Sequence, residues 1–497
     1  MGGLEGVLSG FQVAFSVEGV IFVFIGVLAG TFIGMLPGLG PISAIAVMIP
    51  ISYGFDPTIA LVMMAGVYYG AVFGGSTSSI LLNAPGISGT VATAFDGHPM
   101  AKQGKAGKAL AIAAISSFIG GTVGIVLLML FAPMLASVAI AFGPPEYFAL
   151  MLVALMAIAS LSEGSLVKAF ISGVIGFMFA TVGIDAQTGT PRFTFGITNL
   201  LSGIEFLVIA LGLFALAEIC FLIINSVKKK NNIHQNIGSL KLTKSDFKEM
   251  KGPATRQSFL GFIIGVLPGA GATIASFIGY IFEKKLSKKP EQFGKGSIKG
   301  LTAPETANNA ATSGAFVPLL SLGIPGSGTT AVLLGALLVL GVQPGPLLFE
   351  DEPTLFWGVI ASMYVGNVFL LILNLPLIPY IAKLLLIPRP LLISLVITFC
   401  MLGVYAISFN TFDIYLLLLF GVIGFLMRLA HFPTPPFILS FILGGMMEQS
   451  LRQTLTISEG DLGIFLESPI AIALFIVALL SIVIPAFKKK TITKVEE

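Results

Sequence analysis

Two stretches of this 497-residue chain set polar side chains in apolar company and then break. The first, residues 70–90, carries Ser76, Thr77, Ser78, Ser79 and Asn83 ahead of Pro85-Gly86. The second, residues 303–330, carries Glu305, Thr306, Asn308, Asn309, Thr312 and Ser313, then Pro325-Gly326, Ser327, Thr329 and Thr330. Hydroxyls and amides of this kind suit binding rather than bond cleavage. A helix interrupted at Pro-Gly offers free N–H groups and a positive dipole end, which favour an anion. Its freed carbonyls, with Asn and Thr oxygens, favour a hard cation such as Na⁺. A single serine in such a place more often hydrogen-bonds between helices or caps one. Two polar clusters in two related halves favour a site.

Other chemistry is thinly represented. Glu218 lies in an apolar run, and Lys168, Asp413 and Arg428 lie near the ends of such runs. Buried acids can mark ion paths, but Glu218 is close enough to the end of its run to reach the interface. Arg192 and Arg452 fall in polar stretches and are expected at the interface. His98, His234 and His431 show no metal spacing, and Cys220 and Cys400 sit in apolar runs, which excludes a thiolate cluster or disulfide framework. GAGATIAS lacks the lysine of a phosphate loop, and no H-E-x-x-H or G-x-S-x-G occurs. Neither an enzyme nor a cofactor is expected.

The elements that must hold the polar clusters are membrane helices. Hydrophobic residues make up 56% of the chain and charged ones only 10%, with a mean hydropathy of +0.99. Soluble domains carry about 25% charged residues. A net charge of +3 gives no reason to expect a nucleic-acid partner. No basic region with a small-residue cleavage site opens the chain, so no cleavable leader is expected. The 58 glycines and 28 prolines exceed average usage, as close-packed and broken membrane helices require. Runs of about 20 apolar residues span a bilayer. They lie near 17–36, 58–75, 109–136, 146–162, 165–183 and 203–226, then 259–282, 328–343, 356–382, 391–409, 413–429 and 468–487. The expected fold is an all-α polytopic membrane protein of about 10–12 transmembrane helices plus broken or re-entrant hairpins.

The halves repeat. GTFIGMLPGLG from Gly30 answers GFIIGVLPGAG from Gly261, and Gly74 with Pro85-Gly86 answers Gly314 with Pro325-Gly326. Ser116 and Gly120 answer Ser362 and Gly366, and GVIGF recurs at Gly173 and Gly421. Matches in one order with slowly growing offset indicate a duplicated unit. Residues 1–227 form the first repeat, 228–256 a basic linker opened by Lys228, Lys229 and Lys230, and 257–497 the second repeat. Charge gives the orientation. The loop with Lys102, Lys105 and Lys108 answers one with Glu350, Asp351 and Glu352, and the lysine-rich 283–299 loop answers SYGFDP. Opposite charge at matched loops implies inverted topology under the positive-inside rule, the common build of secondary transporters. Residues 102–108, 228–256 and 283–299 are expected in the cytoplasm, and 54–57 and 350–352 outside. Lys488, Lys489 and Lys490 favour a cytoplasmic C-terminus while equal span numbers favour the other side, and a further crossing near 434–450 would decide between them.

LPGLGP at 36–41, YGAVFGGSTSSILLNAPG at 69–86, APETANNAATSGAFVPLLSLGIPGSGTTAVLLGA at 303–336 and GVQPGPLLF at 341–349 resemble the large membrane subunit of tripartite tricarboxylate transporters (TctA-type). The resemblance covers nearly the whole chain. It implies a carrier in the bacterial inner membrane that imports a di- or tricarboxylate on a cation gradient, Na⁺ before H⁺. It implies two partners, a small four-helix membrane subunit and a periplasmic solute-binding protein. By its motifs, substrate contact is expected at Ser76, Thr77, Ser78, Asn83, Gly86, Asn308, Asn309, Thr312, Ser313 and Gly326. A Na⁺ ion is expected near Gly38, Gly269, Asn308 and Thr312. The rival readings are an intramembrane enzyme acting on lipid-linked substrates, which lacks the acids it would need, and a channel, which the broken helices disfavour. Few bases lie within the spans to neutralise a polyanion, so its site is expected to stay intact during the crossing. A site travelling as a body and halves rocking around a fixed site both allow this; the hairpins, by analogy with other hairpin-bearing carriers, favour the elevator.

Overall fold

The structure, a computed structural model, describes residues 4–36, 38–161, 165–185, 187–226, 237–269, 271–383 and 388–493. The first half contains α1 (Leu4–Ala14), α2 (Val17–Met35), α3 (Gly40–Ser52), α4 (Pro57–Leu82), α5 (Val91–Met100), α6 (Ala106–Ala139), α7 (Pro144–Leu161) and α8 (Leu166–Ala180). Then α9 (Phe206–Ala210) runs through a π-helical stretch into α10 (Ala217–Ser226). The second half contains α11 (Lys244–Val266), α12 (Gly271–Leu286), α13 (Ile298–Gly314), α14 (Phe316–Leu322), α15 (Gly328–Val339), α16 (Leu348–Asp351) and α17 (Pro353–Asn374). It continues with α18 (Ile378–Ile381), α19 (Arg389–Ser408), α20 (Thr411–Leu429), α21 (Thr434–Ile457), α22 (Ile464–Glu467) and α23 (Pro469–Thr493). Among the described residues strand is confined to Gly183–Ile184 paired with Pro191–Arg192. Seven helical segments of the described residues are long and apolar enough to cross a bilayer, and shorter apolar helices accompany them, Gly40–Ser52 and Gly328–Val339 among these. The protein is an all-α polytopic membrane protein.

Glycine spacing fixes the central pairs. Gly26, Gly30 and Gly34 of α2 lie against the backbone carbonyls of Met63, Val67 and Ala71 in α4, where any Cβ would collide. Gly261 and Gly265 of α11 meet Ala307 and Ala311 of α13 in the same way. Lipid tails are as apolar as side chains, so close backbone approach rather than water exclusion holds such helices together. The halves also exchange elements. Helix α6 packs on α11 and α13, while α17 packs on α2 and α4. Farther along, α8 packs on α21, and α20 packs on the π-helical stretch between α9 and α10.

The chain breaks where the sequence indicates. Helix α4 starts at Pro57 with Asp56 Oδ1 accepting from Thr58 N at 2.8 Å and stops at Asn83, whose φ of 51° is left-handed. Helix α14 stops the same way at Gly323, φ 69°. Asn and Gly tolerate that conformation, and proline soon after prevents the helix resuming. After each stop the chain doubles back, so that Gly86 meets Gly75 and Gly326 meets Ala315, and a new helix begins. One detail differs from expectation. The arm before the first break is not a short re-entrant piece, because α4 is 26 residues long and buried nearly throughout. Gly70, Gly74 and Ser76 to Ser79 do not interrupt it, since α2 and its other neighbours hold it on all sides. The arms after the breaks, α5 and α15, are short, and the seven-residue α14 before the second break follows directly on α13.

Residues 228–236 of the expected basic linker lie outside the described residues. From Lys244 the segment is already helix. Thr243 and Asp246 cap it reciprocally, Thr243 N donating to Asp246 Oδ2 at 2.8 Å. Lys108 pairs with Asp246 at 2.7 Å, Gly107 N donates to Ile237 O, and Gln103 donates to Lys295 O at 2.9 Å. The three basic segments therefore gather at one end. At the other, Phe22 meets Phe55, Phe349 meets Trp357 and Thr58 faces Gly358.

Candidate functional site

Four helix starts converge on one cavity of about 1030 Å³. Gly40 opens α3, Ser88 opens the turn that leads into α5, Gly271 opens α12 and Gly328 opens α15, and all four residues line it. The breaks at Gly38 (φ 99°) and Gly269 (φ 81°) line it too. Neither the α3 start nor the Ser88 turn has a side-chain cap, which leaves leading N–H groups there without a side-chain acceptor. At α15, Ser327 Oγ accepts from Thr330 N at 3.3 Å. The two halves cross here. Ser88 Oγ and Thr273 Oγ1 are 2.7 Å apart, and Gly328 faces Ile42 of α3.

The opposite wall comes from α10, α20 and the start of α21. Arg428 is ion-paired with Glu218, whose carboxylate presses on Gly38. The Arg428 guanidinium also lies 4.9 Å from the centre of the Phe221 ring. His431 and Thr434 complete this side. The result is a roomy chamber with several positive dipole ends and one arginine, held by a single carboxylate. It suits a polyanion.

The expected site residues divide. Gly86 lines the chamber. Asn308 stands directly behind Gly89, where a Cβ would come 2.7 Å from its Oδ1, and both its amide atoms are buried without partners. Thr312 donates to Asn308 O at 2.9 Å and shares the surroundings of the Tyr68 hydroxyl with Ser327 and Thr329. Gly326 is one layer back, its carbonyl accepting from Gly269 N at 2.9 Å. Asn83 serves at the left-handed end of α4.

Ser76, Thr77, Ser78, Asn309 and Ser313 do not reach the chamber wall. Ser76 Oγ donates to both carboxylate oxygens of Glu305, at 2.8 and 2.9 Å. Ser78 donates to Gly75 O at 3.2 Å, Asn309 Nδ2 donates to Glu305 O at 3.0 Å, and Ser313 pairs with the Tyr69 hydroxyl. Register accounts for this division of the residues expected at one central site. When Pro85 is aligned with Pro325, Asn308 answers Tyr68 and Ser76 answers Phe316. The two polar clusters therefore stand at different heights. Tyr68 and Asn308 are the matched pair, and each stands behind the helix start of the other half.

Sequence reasoning passed over the Glu218–Arg428 pair. Two charges in apolar runs were the available sign, and only packing reveals that they meet. Arg192 and Arg452 do lie away from the chamber. Arg452 reaches Asp185 at 2.8 Å and Glu448 at 2.5 Å, and Arg192 reaches Glu448 at 2.7 Å. They tie Asp185 and Arg192 to α21. The Gln187 N–H, then Arg452, hold the Asp185 carboxyl down to about 2. His98 Nδ1 is 3.0 Å from Ile80 O, and His234 lies outside the described residues. Among the described residues no group of three or more His, Cys, Asp or Glu could hold a metal ion.

The sequence model of the Tripartite tricarboxylate transporter TctA family matches residues 20–439. The chain is 45% identical over 484 residues to a 52.8 kDa protein, described as uncharacterized, in the TAR-I ttuC' 3' region of Agrobacterium vitis. That match covers 97% of this chain and 96% of the relative. A second Agrobacterium vitis protein, from the TAR-II ttuC' 3' region, is 42% identical over 233 residues, 46% of this chain and 96% of its own length. No solved structure matches.

Proposed function

The chain belongs to the tripartite tricarboxylate transporter TctA family, and on that premise we propose that its chamber carries a di- or tricarboxylate inward across the bacterial inner membrane on a cation gradient. It is a multi-pass membrane transport protein and not an enzyme. A periplasmic solute-binding protein delivers the substrate, and a small four-helix membrane subunit stands beside the chain. The observation that carries the reading is the convergence of the α3, α5, α12 and α15 starts on a chamber that also holds Arg428. A polyanion in hydrocarbon is costly, and these groups replace its hydration with fixed dipoles, N–H donors and one guanidinium. Asn308 backs this wall behind Gly89 with an amide that has no partner.

Proteoliposomes test this. Accumulation of one carboxylate driven by an imposed cation gradient is the expected result. Passive equilibration without accumulation would indicate a channel, and chemical change of a substrate an enzyme.

The mechanism we propose is an elevator. Helices α2 to α6 with α11 to α17 form one lobe, and α7 to α10 with α19 to α23 form the scaffold, which meets the lobe chiefly through α3 and α15. A few short contacts at that boundary favour movement of the lobe as a body. The gathering of 102–108, 237–256 and 283–299 at one end supports placing those segments in the cytoplasm, with 54–57 and 350–352 outside.

A further inference from the structure

We infer that a second, smaller site between α4, α6 and α17 binds one Na⁺ ion, with Glu305 supplying its countercharge. This rests on the cation-coupled reading above and gives the ion a place other than the chamber. Glu305 is fully buried and accepts hydrogen bonds from Ser76, Thr93 and Ser117, the last at 2.7 Å. Among the described residues no lysine, arginine or histidine pairs with it. A carboxylate at such depth is very unfavourable unless a cation or proton neutralises it.

Ser76 and Ser117, which bond Glu305, also line a void of about 10 Å³, together with Thr77, Asn374 and apolar neighbours from α4 and α6. That is room for one water-sized occupant. Its polar lining is made of oxygen lone pairs. Ser76 and Ser117 have directed their protons to Glu305, so their remaining electron pairs are free for an occupant. Asn374 is 4% exposed, its Nδ2 donates to Leu370 O at 3.0 Å, and its Oδ1 is buried without a partner. Oxygen ligands with a single nearby negative charge suit a small monovalent hard cation, and the tight space disfavours K⁺. Thr77, Ser117 and Asn374 all stand on the mobile lobe, so the ion would travel with the substrate.

The test is the melting temperature of the purified protein in nanodiscs, titrated with NaCl or KCl against choline chloride at constant ionic strength. Sodium is expected to raise it and potassium not. Glu305→Gln and Asn374→Leu should each raise the half-maximal sodium concentration by about tenfold or more, while each still melts cooperatively in choline. If Glu305→Gln does not fold, Thr77→Val, which replaces a hydroxyl on the void by a methyl group, takes its place with the same expectation. A wild-type curve that sodium leaves unmoved, or variants that keep the wild-type half-maximal concentration, overturns the site. Carboxylate uptake on the same preparation separates the two readings. Uptake driven by protons with no sodium shift overturns the ion site alone, whereas a sodium shift without uptake of any carboxylate overturns the transport reading alone.

Discussion

Arg428 and Glu218 are the residues where opposite effects are expected from replacement by a neutral amide. Arg428 offers the chamber a guanidinium, and a hydrogen bond to a charged group is worth about 1.5–3 kcal/mol. Arg428→Gln should therefore raise the KM for carboxylate uptake by about tenfold or more. Glu218 holds the same guanidinium and repels an arriving anion. Glu218→Gln should lower the KM, since the arginine is then free for the substrate. Uptake kinetics in proteoliposomes check both, and shifts of the same sign would show that the pair is only a structural tie. Asn308→Ala removes a buried amide without a partner in this conformation, so it should leave thermal stability nearly unchanged while raising the KM. A large loss of stability with unchanged KM would place Asn308 in packing.

At the scale of elements, the α2–α4 and α11–α13 pairs should be the least tolerant of added volume. Gly30 meets the carbonyl of Val67 and Gly265 that of Ala311, and overpacking of this kind costs about 1–3 kcal/mol. Gly30→Ala and Gly265→Ala should each lower the melting temperature in detergent. Gly445→Ala in α21 is the control, since a Cβ there meets nothing within 4 Å and alanine favours a helix over glycine by about 1 kcal/mol. Its melting temperature should hold or rise. Equal losses at all three would mean that helix contact does not set stability here. The helix breaks were legible in the sequence because Pro-Gly and a left-handed Asn or Gly leave a local mark. The uninterrupted length of α4 was not, because its run of glycines and serines is stable as helix only inside its particular neighbours.

For the whole molecule, single cysteines at positions 105 and 351 should label from opposite sides of the membrane with an impermeant reagent. Labelling of both from one side would remove the inverted arrangement of the halves. The elevator predicts that the starts of α3, α5, α12 and α15 and the Glu305 cluster move together relative to α20 and α21, which carry the Arg428 wall of the chamber. A disulfide joining α3 to α19, which belong to the lobe and the scaffold, should stop uptake and leave substrate binding intact. Uptake that survives full cross-linking would favour a fixed site with rocking halves.

Composition alone determined that this chain lives in a membrane, because 10% charged residues cannot clothe a soluble surface. Local sequence determined where helices stop, and the matched motifs identified the family. Which polar residues share a space was decided by tertiary structure. Ser76 and Asn308 already differ in their distance from Pro85 and Pro325, but that one faces Glu305 and the other Gly89 is set by helical phase and by the helices that pack on each. Glu218 and Arg428, 210 positions apart, meet for the same reason: the partner of a buried charge is chosen by the helices that pack around it.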